Sequence, residues 1–200
     1  GKAYSRVVVL GPSHGTPMEN IASVPDATHY STPLGEVPLD VAFVEELKEH
    51  PQFQTLSFAH QREHSVQIEV PLLQVALRDF RLLPVVIGQL DGEAAAAVAR
   101  ALAPLVDAQT LVVVSSDFTH YGPDYDYVPF RDNVPTALKK LDLGAVKHMR
   151  AGDRAGFMKY VQETGATICG RSAIAVLLAL VPEGATFELL HYTTSGAVTG

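Results

Sequence analysis

The chain has 200 residues, 47% hydrophobic and 18% charged, a usage that excludes intrinsic disorder and suits one domain with its own core. Twenty-two acidic against fifteen basic residues leave a net charge of −7 with no Lys/Arg-rich run, which argues against nucleic-acid binding by phosphate neutralisation. The single cysteine, Cys169, has no intramolecular partner, and the longest apolar run, Ala173–Val181, falls far short of the ~20 residues that span a bilayer; a cytoplasmic protein without a membrane partner is expected.

In chain order, Arg6–Leu10 (RVVVL) is the first continuous, β-branched run and reads as a strand buried on both faces. The Pro- and Gly-rich stretch Gly11–Pro38 is long for a loop without structure of its own, and such loops are usually functional. Leu39–His50 reads as a helix, with apolar residues at 41, 43, 44 and 47. Gln67–Leu77 is a second helix, with Ser65 as its N-cap and Pro71 either in its first turn or kinking it. Leu83–Ile87 (LPVVI) is the second strand, and Asp91 caps the Ala-rich helix Gly92–Leu102. Thr110–Ser115 (TLVVVS) is the third strand and Tyr121–Pro135 the second long loop. Helices follow over Thr136–Met149, Asp153–Glu163 and Ser172–Leu180, and the alternating Phe187–Tyr192 (FELLHY) predicts a fourth strand near the sheet edge. Strands alternating with helices predict an α/β fold: a three-layer sandwich with a mostly parallel central sheet flanked by helices.

Ligands of open α/β sheets bind at the carboxyl ends of the strands. The first strand runs into Ser13-His14, the third into Ser115-Ser116-Asp117-Phe118-Thr119-His120, so two strands each deliver a histidine to one rim. His64, in Arg62-Glu63-His64-Ser65, stands at a helix start and can point into a cleft; the same segment also reads as a plain capping motif. Cys169 opens the last helix beside Arg171, where the macrodipole and a cation favour the thiolate. Imidazole, thiolate and carboxylate together suit Fe(II), Zn(II) or Cu rather than Mg or Ca. No HExxH, paired CxxC, GxxxxGK[ST], GxSxG or GxGxxG is present, so zincin, zinc-ribbon, P-loop, α/β-hydrolase and dinucleotide readings have no support. His60 precedes His64 by four residues and would chelate with it only on a continuous helix. His29 and His191 could line the cleft, and Tyr30, Tyr121, Tyr125 and Tyr127 could rim it.

Five segments carry a family resemblance: VVVLGPSH (Val7–His14), REHSVQIEVPLL (Arg62–Leu73), SSDFTHYG (Ser115–Gly122), TICGR (Thr167–Arg171) and YTTSGAVTG (Tyr192–Gly200). Together they resemble the MEMO-like family, which includes the AmmeMemoRadiSam system protein B, over residues 1–200 as a single domain. The resemblance implies a fold similar to the LigB-type class III extradiol dioxygenases, which use non-haem Fe(II). It matches His14, His64 and Cys169 to the family's metal residues and Asp117 and His120 to the adjacent catalytic pair. Fe(II) is the first expectation for the cofactor, with Cu or Zn as alternatives. The family context also implies a small-molecule or peptide ligand and a radical-SAM partner protein. Relative to the family pattern, the chain lacks a preceding segment with a Pro-His-Ala-Gly-Tyr motif and a strand after Gly200, so both ends are expected to be trimmed. A thiol in place of the dioxygenases' carboxylate sets ring cleavage against one-electron redox chemistry. A peptide-binding adaptor and a zinc hydrolase are the other readings of the same cleft.

Overall fold

Val7–Leu10 has no polar residue to turn outward. The computed structural model accordingly encloses all four side chains in strand β1 (Arg6–Pro12). The structure describes residues 4–199 apart from 62 and 78; the motif residues Arg62 and Gly200 lie outside the described residues.

After β1 come β2 (Ala22–Ser23), β3 (His29–Thr32), β4 (Gly35–Pro38), α1 (Val41–Lys48), β5 (Phe53–Gln54), α2 (Ser57–Gln61), α3 (His64–Gln67) and α4 (Glu69–Ala76). Then follow β6 (Arg81–Ile87), α5 (Gly92–Leu102), β7 (Thr110–Val114), α6 (Val134–Arg150), α7 (Arg154–Thr164), α8 (Arg171–Leu180) and α9 (Ser195–Thr199). Among the described residues no helix is long and apolar enough to cross a membrane.

The central sheet has the order β5-β2-β6-β1-β7. β1 pairs in parallel with both neighbours, Leu10 standing opposite Val85 and Val114. β2 joins β6 antiparallel, so the sheet is mostly parallel. Pro84 is tolerated within β6 because its neighbours bond on the side away from β1: Leu82 bridges Leu39 and Val86 pairs with Ser23. Between those two contacts no partner requires an N–H.

Alternation along β1 and β6 builds the layers. Val8, Leu10, Leu83, Val85 and Ile87 pack with α1, α5 and α8. Val7, Val9, Leu82 and Val86 face the other way, onto Val37, Leu39, Ala59, Val66 and Val70. A third cluster joins α6, α7 and α8 around Phe157 and Ile174. The expected three-layer α/β sandwich is the observed one.

Three expectations need correction. Gly11–Pro38 is not structureless: it holds β2 and the β3–β4 hairpin, turned at Gly35 with φ +113°, a backbone state glycine adopts freely. The helix expected over Gln67–Leu77 starts later, as α4 from Glu69, with Ile68 parting it from α3; Pro71 then lies in the first turn of α4, where no intrahelical N–H bond is lost. Phe187–Tyr192 is not a strand. Its side chains grip helices instead: Phe187 packs beside Phe157, and the Tyr192 hydroxyl donates to Asp142 of α6 at 2.8 Å. Leu190 is left 86% exposed and β7 is the edge of the five-stranded sheet.

Candidate functional site

The end of β1 is built for close approach. A side chain on Gly11 would run into Ser65 and Val66, so α3 can press onto the strand only because residue 11 has none. The Ser65 hydroxyl donates to the Pro12 carbonyl at 2.9 Å, tying helix to strand. This contact sets His64 beside His14, with ring centroids 4.5 Å apart and planes 22° from parallel.

Between them lies Glu63, whose side chain is 3% exposed. One oxygen, Oε2, accepts the His14 backbone N–H at 2.6 Å. The other, Oε1, lies 2.8 Å from His14 Nδ1 and accepts the Ser65 N–H at 3.0 Å, capping α3. The N-cap is thus Glu63 rather than the expected Ser65. Burial alone would push the Glu63 carboxyl up; the two backbone donors, the His14 ring and its charge outweigh that and hold it below the usual carboxylate range. Tyr30 on β3 is pushed up to about 12, first by burial and then by the Glu63 charge. His14, Glu63 and His64 can each offer a ligand atom, all within 4.8 Å of one another.

The end of β7 builds a second half on the same rim, since Ser115 N–H donates to the Leu10 carbonyl and keeps the two strand ends side by side. Ser116, at the base of this loop, accepts the Gly170 N–H on its hydroxyl at 3.0 Å, and a side chain on Gly170 would collide with it. Asp117 N–H donates to Cys169 Sγ at 3.1 Å. His120 Nδ1 lies 2.9 Å from the Thr167 carbonyl, which can only accept, so Nδ1 carries the proton and Nε2 is free to act as a base. His120 Nε2 and Asp117 Oδ2 are 3.6 Å apart, with Asp117 83% exposed, beyond hydrogen-bond reach, so the two pair by charge only once the imidazole takes up a proton. Tyr125 tilts against the His120 ring at 4.9 Å.

The structure therefore brings the predicted residues together as a pair and a trio: His14 with His64, and Asp117 with His120 and Cys169. Cys169 stands outside the 4.8 Å cluster around His14. Its thiol is pushed up by burial first, with the Asp117 charge adding to that against three hydrogen-bond donors. The expected thiolate-favouring setting is not found, and Arg171 lines a separate cavity with Glu19, Asp91 and Lys159. His60 closes α2 and pairs with Ser23 at 3.0 Å, so it does not chelate with His64. His29 hydrogen-bonds its neighbour Thr28 and lines a cavity with Tyr30 and His60 that does not include His14 or His64, and His191 lines a small apolar cavity with Phe118 and Phe187. Of the four tyrosines, Tyr30 and Tyr125 face site residues, while Tyr121 and Tyr127 donate to backbone carbonyls of Phe130 and Thr164 as loop packing.

Two participants were missed from sequence. Glu63 was readable as an acid flanking a histidine at a helix start. Asp142 was readable as a charge on the apolar stripe of Leu138, Leu141, Ala145 and Met149. It is buried, accepts the Thr119 N–H at 3.2 Å and the Tyr192 hydroxyl, and so steadies the Asp117–His120 loop from behind.

The family model described as Memo-like protein matches residues 1–200. The chain belongs to the Memo-like family. A MEMO1 family protein of Pyrococcus abyssi is 31% identical, aligned over 96% of this chain and 70% of its own length. The Protein memo-1 homolog of Caenorhabditis elegans is 29% identical over 98% of this chain and 60% of its own. A crystal structure of an uncharacterized protein from Escherichia coli K12 superposes with a TM-score of 0.55 at 16% identity, covering 90% of this chain and 75% of that one; at that identity the likeness is one of fold. Family membership thus agrees with the motif resemblance read from Val7–His14 to Tyr192–Gly200.

Proposed function

We propose that this Memo-like chain is a metal-binding protein with its centre at the carboxyl rim of β1 and β7. In this reading His14 and His64 are the imidazole donors, Cys169 is the third donor, and Asp117 and His120 handle protons beside them. The observation that carries it is the convergence of His14 and His64 at a strand end, their rings stacked with centroids 4.5 Å apart and their ligand atoms within 4.8 Å of each other and of Glu63, which holds His14.

The donor chemistry fits. Two imidazoles and a thiol suit Fe(II), Cu or Zn better than oxygen-seeking Mg or Ca. The likeness of the family pattern to non-haem iron dioxygenases puts Fe(II) first. When bound, such a metal supplies a redox-active Lewis acid with positions left open to a ligand.

The chain's own residues supply the rest. Glu63 holds the His14 ring still, while His64, with its side chain 71% exposed, meets incoming molecules. The free Nε2 of His120 takes a proton from a ligand on the rim, and the nearby Asp117 carboxylate steadies the imidazolium that results. Cys169 Sγ would serve as a donor while still accepting the Asp117 N–H, which ties ligand binding in one half to the backbone of the other. A small molecule or short peptide is the ligand expected over the exposed Asp117 and Tyr125.

Metal analysis of anaerobically prepared protein tests the reading. Stoichiometric iron is expected, lost in the His14→Ala, His64→Ala double variant and weakened in Cys169→Ser. Full iron occupancy in the double variant overturns the assignment. Oxygen consumption with catechol-like compounds separates an oxidoreductase from a binding protein: chelator-resistant peptide binding without turnover would decide for the latter.

A further inference from the structure

Glu63 stands out because three of its roughly four lone-pair sites are already taken within the protein. It is buried, Oε2 is taken by the His14 N–H, and Oε1 by the Ser65 N–H and the His14 ring. A carboxylate so occupied is poorly placed to coordinate a cation; it is well placed to hold a neighbour.

We infer that Glu63 is a positioning residue that fixes His14 in the tautomer protonated at Nδ1, so that Nε2 is the ring nitrogen offered at the rim. An ionised carboxylate only accepts hydrogen bonds, so the 2.8 Å contact with His14 Nδ1 requires the proton on that nitrogen. The grip is two-point: the same carboxylate holds the backbone of residue 14 and its ring. Side chain and main chain are therefore oriented together, before any ligand arrives.

His64 provides the internal contrast. Its Nδ1 is 3.6 Å from Glu63 Oε1, beyond a hydrogen bond. It keeps its position by stacking on His14. One ring of the pair is locked in tautomer and direction; the other, among the described residues, has no hydrogen bond that selects a tautomer. Buried carboxylates behind histidine ligands serve this purpose elsewhere, and removing one typically costs 10–100-fold in metal affinity. That consequence rests on the metal-binding reading above, whereas the tautomer does not.

The test is long-range proton–nitrogen correlation NMR on metal-free, histidine-labelled protein at alkaline pH, where both rings are neutral. His14 should show a protonated Nδ1 and a bare Nε2, and His64 an averaged pattern. In Glu63→Gln, whose amide cannot accept from all three donors, His14 should average like His64, and zinc should bind 10–100-fold more weakly. A bare Nδ1 on His14 in the unaltered protein overturns the inference, as does an unchanged His14 pattern in Glu63→Gln. Should Glu63→Gln fail to fold, the unaltered protein's spectrum still decides. A locked His14 in a protein that takes up no metal sustains the inference and fails the metal-binding reading.

Discussion

The Thr167 hydroxyl donates to the His120 carbonyl at 2.6 Å, while the His120 ring meets the Thr167 carbonyl at 2.9 Å. The two residues are 47 apart in sequence and clasp each other twice. Thr167→Val keeps the shape and deletes one bond, leaving the His120 carbonyl short of a partner. A loss of about 1 kcal/mol in urea denaturation is expected, with the His120 ring more mobile in NMR relaxation.

Gly11→Ala should cost more than its single methyl suggests. The added group meets Ser65 and Val66, so α3 must retreat from β1. Overpacking of this kind costs about 1–3 kcal/mol. A lower thermal midpoint together with weaker zinc binding is expected; an unchanged midpoint would mean that the helix does not rest on residue 11.

His60 should give the protein an acid-sensitive limb. Burial pushes it down to about 4, against a hydrogen bond with Ser23 that works the other way. Its folded pKa is therefore below the unfolded value of ~6.5. The contribution is complete above ~6.5 and is lost as pH falls through about 4, amounting to about 3 kcal/mol. Denaturant melts should show stability falling across that window, and His60→Gln, which cannot charge, should flatten the fall.

Asp142 and Tyr192 should be energetically coupled. Asp142→Ala strands the Thr119 N–H and the Tyr192 hydroxyl, whereas Tyr192→Phe removes one donor. A double-mutant cycle should return a coupling of about 1–2 kcal/mol. A value near zero would mean that the Asp142–Tyr192 hydrogen bond does not help hold the segment after α8.

How much of this was legible in the sequence depended on whether a feature is local. The runs at Val7, Leu83 and Thr110 declared themselves because a strand buried on both faces needs no pattern beyond its own apolar side chains. Asp91 was readable as a cap because its partners, Glu93 and Ala94, are two and three residues away. Phe187–Tyr192 misled because alternation records that one face is buried, not what buries it; here α6–α8 do so rather than a strand. At the site, His14, Asp117 and His120 were found from their places past strand ends. Glu63 escaped because its partner is 49 positions away and the pairing exists only once α3 has docked. The Cys169 thiol was expected to ionise readily from its place at a helix start, but burial, which no sequence window reveals, pushes it the other way.

Even-numbered side chains of β1 meet the layer containing α8, while Val7 and Val9 meet the layer containing α3. The histidine half of the rim therefore travels with one layer and the Cys169 half with the other, and β1 is the rail between them. A shear of a few tenths of an ångström between layers would alter the gap across the rim without disturbing a bond inside either half. Mutations deep in the sandwich, remote from every polar group named above, could retune the spacing of the two jaws.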